Sequence, residues 1–201
     1  MCKKEVVIIG ASGHGRVIAD IIKSAGDIVL GFLDDGVFKD SKLNILGTSD
    51  DYIKYIDKYF IIAIGNNEIR REISCKLKNV KYYTAIHPFS FISDEAVIEE
   101  GCVVMPGSVI NSQARIKKHT IINSNSTIEH DCVVGEYSHV SPGSVLCGTV
   151  TVGDNSWIGA RSVIKNNISV CDNVVVGAGG VVVKNIEEKG TYIGVPVKKI
   201  K

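Results

Sequence analysis

Apolar residues recur along this chain with two different periods. From Glu5 to about Lys81, short apolar runs alternate with segments of helical spacing. Val6-Val7-Ile8-Ile9 is a β-branched run that stops at Gly10-Ala11-Ser12-Gly13-His14-Gly15, and Val17, Ile18, Ile21 and Ile22 then mark one face of a helix. Ile28 to Leu33 and Phe60 to Ile64 read as two more buried strands, ending at Asp34-Asp35-Gly36 and Gly65-Asn66-Asn67, and Ile69, Ile73 and Leu77 lie on a second helix. Three strands joined by crossovers predict a βαβαβ unit with a parallel sheet.

After that the period becomes six. Every sixth residue from Val80 to Val182 is Ile, Val or Leu, a register that neither helical spacing nor two-residue alternation produces. A parallel β-helix of hexapeptide repeats does produce it. The position four after each aliphatic is mostly small (Ser90, Ala96, Cys102, Ser108, Ala114, Thr120, Ser126, Cys132), as an inward corner requires. Gly135, Gly153, Gly159 and Gly177 follow the aliphatic directly and are expected to let the backbone bend there. Three hexads make one triangular turn, so residues eighteen apart should stack at about 4.8 Å.

A formal net charge of +1 gives no field that would draw the chain to nucleic acid. No apolar run approaches the ~20 residues of a membrane span, and the start leads directly into a strand without a secretory h-region, so a cytoplasmic protein without membrane insertion is expected. The six cysteines include no C-x-x-C pair and no Cys/His cluster at zinc spacing; all six, Cys2 included, read as reduced thiols, and no metal is expected.

The hexad block followed by Gly194-Val195-Pro196-Val197-Lys198-Lys199 resembles the left-handed β-helix acyltransferases that use acetyl-CoA. The glycine loop, Leu33-Asp34-Asp35, Ala63 to Arg70 and Ile128-Glu129-His130-Asp131-Cys132 narrow this. Together they resemble the sugar acyltransferase family that includes the bacterial UDP-4-amino-sugar N-acetyltransferases of bacillosamine synthesis and the sialic acid O-acetyltransferases. The likeness spans essentially the whole chain. It implies a Rossmann-like nucleotide-sugar-binding domain over residues 1–81 and a left-handed parallel β-helix with its tail over 82–201. It also implies a homotrimer with acetyl-CoA in the groove between neighbouring subunits.

The glycine loop lies between a strand and a helix, so its N–H groups can receive a phosphate, although its order is G-x-x-G-x-G rather than the dinucleotide G-x-G-x-x-G. By family analogy Ser12, Gly13, His14, Asp34, Asp35 and Gly65 contact a UDP-sugar. The plainer alternative makes Asp34-Asp35-Gly36 a turn and Gly65 a strand exit.

Acetyl transfer needs a base for the nucleophile's proton and a donor for the thioester oxyanion. His130, in the third place of its hexad and outside the aliphatic rows, is the expected base, with Asp131 fixing its tautomer and Glu129 as the other candidate for that contact. Gly148, eighteen residues on, should stack on His130 and offer its N–H. Asn123 is expected near the same edge, and the family match makes His139 a contact to acetyl-CoA. Ile158, Gly159, Val176, Gly177, Lys198 and Lys199 are expected along the pantetheine and nucleotide path. His87 reads as structural and His119 as an exposed turn residue. An acyl-cysteine route through Cys147 lacks a partner base.

The reading this supports is N-acetylation of the 4-amino group of a UDP-linked 4-amino-4,6-dideoxy sugar by direct attack. The alternatives are O-acetylation of sialic acid or another sugar and, from a different class, a non-catalytic nucleotide-sugar-binding trimeric scaffold. Sugar stereochemistry, nucleotide base and glycan pathway stay open at this level.

Overall fold

The computed structural model describes residues 3–36 and 43–201. Cys2 therefore lies outside the described residues; the other five cysteines are free thiols. Strand β1 (Glu5–Ile9), helix α1 (Gly13–Ser24), β2 (Ile28–Leu33), β3 (Ile45–Gly47), β4 (Tyr59–Ile62), α2 (Asn67–Lys76) and β5 (Lys81–Tyr82) build the N-terminal unit. Its parallel sheet has five strands in the order β3-β2-β1-β4-β5, two more than the apolar runs predict. The extra strands are short edge pieces, too brief to show a periodic pattern of their own.

Val80 marks a further difference. It packs into the core of the N-terminal sheet beside Tyr82, and the first strand of the β-helix is Ala85–Ile86. From there, two-residue strands follow one another every six residues and pair in parallel with the strand eighteen residues away, as in Val109↔Thr127, Arg115↔Val133 and Ile121↔His139. They form three faces. The first carries Ala85–Ile86 through Val174–Val176 and is extended by Gly190–Gly194 and Val197–Lys199. The second runs from Phe91–Ile92 to Val181–Val182 and the third from Val97–Ile98 to Ser169–Val170.

The aliphatic rows are the core: Ile110, Ile116, Ile122, Ile128, Val134, Val140, Leu146, Ile158 and Ile164 are fully buried in one continuous cluster. The small position contributes hydrogen bonds as well as space. Ser108, Thr120, Ser138, Ser144 and Ser162 donate to carbonyl oxygens fifteen residues ahead at 2.7–2.9 Å. Cys102 and Cys132 make the same contact with sulfur, at 3.0 and 3.2 Å, so both act as small packed donors.

The glycines after the aliphatic do a different job from the one expected. Gly135, Gly153, Gly159 and Gly177 do not have positive φ; the chain turns two residues later, at Gln113, His119, Asn125, Asp131, Tyr137, Asn155 and their equivalents, with φ near +55° to +63°. What Gly135 supplies is clearance, because a Cβ there would sit 2.5 Å from the backbone nitrogen of Asp154 in the next turn.

The N-terminal unit is seated on the first face. Val6, Ile8, Ile18, Ala19 and Ile21 share one buried cluster with Ala85, Val103, Met105 and Ile121 of the β-helix. Among the described residues, no helix is long and apolar enough to cross a membrane.

Candidate active site

The glycine loop is set by two clashes avoided. Gly10 has φ +106° and its Cβ position lies 2.9 Å from the Ala63 carbonyl, while a Cβ on Gly15 would run into the Gly10 carbonyl oxygen. Ser12 stands at the N-cap of α1 but makes no side-chain capping bond, and the first turn holds no acidic residue. The helix amides at Gly13 and His14 are thus left open to an anion. Asp34 holds the loop, accepting from Ala11 N at 2.7 Å and Gly36 N at 2.8 Å. Asp35 accepts from the Ser49 backbone N–H and hydroxyl, which hold its carboxyl below the usual carboxylate range. Both carboxylates are engaged within the chain.

His14 reaches from α1 toward the β-helix. Its Nε2 is buried without a partner among the described residues, and burial, with Arg70 adding, lowers its pKa to about 4. His139 projects from the first face and is nearly enclosed. Asn123 accepts from Ser124 N through Oδ1 at 2.8 Å, so it is Asn123 Nδ2 that donates to His139 Nε2 at 2.9 Å. The His139 proton therefore resides on Nδ1, which is buried toward the Gly65 backbone with no close hydrogen bond among the described residues. Burial first, then the charge of Arg70, lowers His139 to about 3. The ring stacks on Trp157 at 5.4 Å and 13°, and Trp157 Nε1 donates to Ser141 Oγ at 2.7 Å.

Trp157 opens onto a groove of about 450 Å³ lined by His139, Ser141, Pro142, Gly159, Ala160, Val175, Val176, Gly177 and Ala178. Of the expected path residues, Gly159, Val176 and Gly177 border this groove. Ile158 and Val176 send their side chains into the core, and the apolar surface comes from their outward neighbours Trp157 and Val175. Lys198 lines a separate cavity at the end of the β-helix, and Lys199 pairs with Glu188 at 2.8 Å.

His130 lies on the corner between the second and third faces. Its Nδ1 is 2.8 Å from Asp131 Oδ2, and the two side chains are 60% and 54% exposed. Asp131 is one of the positive-φ corner residues, which turns its short side chain back toward the preceding ring. Glu129 is occupied elsewhere, accepting from Asn111 Nδ2 at 3.0 Å. A Cβ on Gly148 would lie 2.6 Å from His130 Nε2, so the two residues stack in adjacent turns.

Asn123 does not share that corner. It follows the first face, whereas His130 follows the second, one corner further along the turn. In a triangular section, the His130 corner is the one opposite the first face. Within one chain the structure brings together His14, Gly65, Asn123 and His139, and separately His130, Asp131 and Gly148. His119 also departs from expectation: it is buried, stacked on Tyr137 at 5.1 Å, with its pKa lowered to about 4 by burial.

Comparison with known proteins matches this organisation. The PglD N-terminal domain profile matches residues 5–77, and the bacterial transferase hexapeptide and succinyl-transferase hexapeptide repeats match 113–148 and 149–184. The acetyltransferase domain of PglB from Neisseria gonorrhoeae FA1090 is 31% identical over 98% of this chain and 100% of its own, with a TM-score of 0.94. The chain belongs to the PglD-like hexapeptide acetyltransferases.

PerB from Caulobacter crescentus, solved with CoA and GDP-perosamine, belongs to the same group: it is 29% identical over 100% of this chain and 99% of its own, TM-score 0.94. The UDP-N-acetylbacillosamine N-acetyltransferase of Bacillus subtilis (strain 168) is 35% identical over 51% of each sequence. The chain spans about half the length of the curated relatives it matches. Within this PglD-like framework, sequence reading passes over Trp157 and Ser141. The signal was available, since Trp157 stands eighteen residues after His139 and must stack on it.

Proposed function

We propose that the protein is an acetyl-CoA-dependent N-acetyltransferase acting on the 4-amino group of a UDP-linked 4-amino-4,6-dideoxy sugar, as a cytoplasmic homotrimer. The observation that carries this reading is His130, paired with Asp131 and stacked on Gly148, whose N–H has no partner among the described residues. The relatives agree in chemistry: one is named for UDP-N-acetylbacillosamine and one for GDP-perosamine, both as N-acetyltransferases.

Asp131 accepts the Nδ1 proton of His130 and so keeps the lone pair on Nε2. His130 Nε2 takes a proton from the amine as the C–N bond forms. Gly148 N–H donates to the carbonyl oxygen as negative charge develops there. His130 then returns the proton to sulfur as the C–S bond breaks, leaving an amide and a free thiol. The open amides of α1 receive the nucleotide phosphates, and the Trp157 groove takes the pantetheine.

Two arrangements support a homotrimer with sites between subunits. The His130 corner faces away from the first face, so a site that uses both draws them from different copies. The second face also presents an outward row of Phe91, Val109, Thr127, Val145, Val163 and Val181, with Phe91 58% exposed. The corresponding row on the third face includes Arg115, Thr151 and Ser169. Free thiols accord with a reducing compartment.

The test is acetyl-CoA-dependent thiol release with a panel of UDP- and GDP-linked 4-amino sugars and sialic acid, with product mass and linkage determined. Amide formation on a nucleotide-linked amine is expected. Thiol release with sialic acid alone would transfer the assignment to O-acetylation, and a stable monomer in sedimentation would remove the shared site.

A further inference from the structure

Among the described residues, Arg70 is the most buried large polar side chain, 1% exposed, and it has no carboxylate partner. Its guanidinium instead donates to oxygens from two parts of the molecule. On the N-terminal side these are Ile64 O at 2.8 Å, Gly65 O at 3.3 Å and Asn67 Oδ1 at 2.9 Å. On the β-helix side they are His119 O at 2.8 Å, Tyr137 O at 2.5 Å and Ser138 O at 3.4 Å. Asn67 continues the link, its Nδ2 donating to Ser156 O at 3.1 Å.

The β-helix carbonyls lie one turn apart along a single corner, His119 beneath Tyr137 and Ser138 beneath Ser156. The loop that leaves β4 at Gly65 is therefore fastened across three successive turns. Tyr137 and Ser138 lead directly into His139, at the mouth of the Trp157 groove. A planar fork with five fixed donors can span such a cage; an ammonium has three donors at one point and cannot. A buried cation held only by dipoles is costly, and hydrophobic packing would have joined the two units more simply.

We propose that Arg70 is a positioning residue for the acetyl transfer: it fixes the acceptor loop at Gly65 against the donor groove at His139, so that the two bound substrates meet in register. This rests on the N-acetyltransferase reading above. The charge of Arg70 also helps keep its histidine neighbours neutral, a consequence of the same placement.

Since each substrate is bound by one side of the junction alone, loss of register should appear in kcat rather than in binding. A misplacement of about 1 Å costs on the order of a hundredfold in rate. In Arg70→Lys, kcat is expected to fall about a hundredfold. KM for the amino-sugar nucleotide and the acetyl-CoA affinity should both stay near wild type. Asn67→Ala, which removes one bond to Arg70 and the bond to Ser156, should show the same split more weakly, and it serves if the lysine variant does not fold.

Native-state hydrogen exchange gives a readout independent of turnover: the backbone amides of residues 69 and 70, which donate to Asn66 Oδ1 and O, should lose protection in both variants while those of the β-helix core keep theirs. Unchanged kcat in folded variants, or unchanged protection of the amides of residues 69 and 70, would overturn the positioning role. Absence of amide product from the wild-type protein would instead defeat the functional reading on which the kinetic arm rests.

Discussion

The ring of His130 lies against the backbone of Gly148, so close that a Cβ at 148 would fall 2.6 Å from Nε2. Replacing that hydrogen by a methyl group must displace the imidazole or the adjacent turn. Gly148→Ala is therefore expected to fold normally, since the position is a corner outside the packed rows, but to lose about a hundredfold in kcat. Steady-state kinetics beside a thermal melt separates the two effects. Full activity in a folded variant would show that Nε2 has no fixed place above residue 148.

Asp131 and His130 should differ in the size of their effects. His130→Ala removes the base and should lower kcat/KM by about 10² to 10⁴. Asp131→Asn keeps the shape but withdraws the acceptor for the Nδ1 proton, which should cost about tenfold to a hundredfold. Glu129→Gln should leave the rate nearly unchanged, because its carboxylate is taken by Asn111. A larger loss at Glu129 than at Asp131 in the same assay would reverse their order.

Trp157 is the one tryptophan of the chain and sits in the groove assigned to the donor. Its emission should change on titration with CoA alone. Trp157→Phe should abolish that signal and weaken the stack on His139, raising the KM for acetyl-CoA by up to about tenfold, the worth of an aromatic pair. Saturable CoA binding with no change in emission would move the pantetheine path elsewhere.

Stability should fall on acidification. His14 and His119 are lowered to about 4 and His139 to about 3, mainly by burial and in part by Arg70. The unfolded chain therefore binds more protons than the folded one between these values and about 6.5, and stability rises with pH across that window. It is fully present above about 6.5 and is lost progressively below. Thermal melts from pH 7.5 to 4.5 should show a steady decline in Tm. In His119→Asn, which keeps a residue tolerant of positive φ, the slope should be shallower by about one proton. A flat profile through pH 5 would mean that these rings are not held neutral by burial.

The β-helix was legible because each aliphatic residue has one destination, the axis, and six residues fix its return. The same arithmetic reaches beyond the core. Seven residues separate Asn123 from His130, more than one hexad, which assigns them to successive corners; eighteen separate His139 from Trp157, which stacks them. Val80 fell into the register by coincidence, since β5 is also apolar on one side. The glycines after the aliphatic are visible in the sequence but their reason is not: bending is a property of one residue, whereas clearance from Asp154 is a property of two turns in contact. In the sequence the buried Arg70 is no more than the last residue of the Ala63 to Arg70 segment. Its partners are carbonyl oxygens, which every residue has, so nothing in the side-chain sequence marks the cage that holds it.

The parallel stacking of the turns makes the site adjustable only in steps. Adding or removing one eighteen-residue turn between the N-terminal unit and His130 would carry the base about 4.8 Å along the axis and restore it to the same corner. A change of six or twelve residues would rotate it to a different corner, and one that is not a multiple of six would break the register. A lineage of such proteins can thus alter the reach between base and acceptor by whole rungs, as on a notched gauge, while finer adjustment falls to the few hydrogen bonds by which the N-terminal unit grips the β-helix.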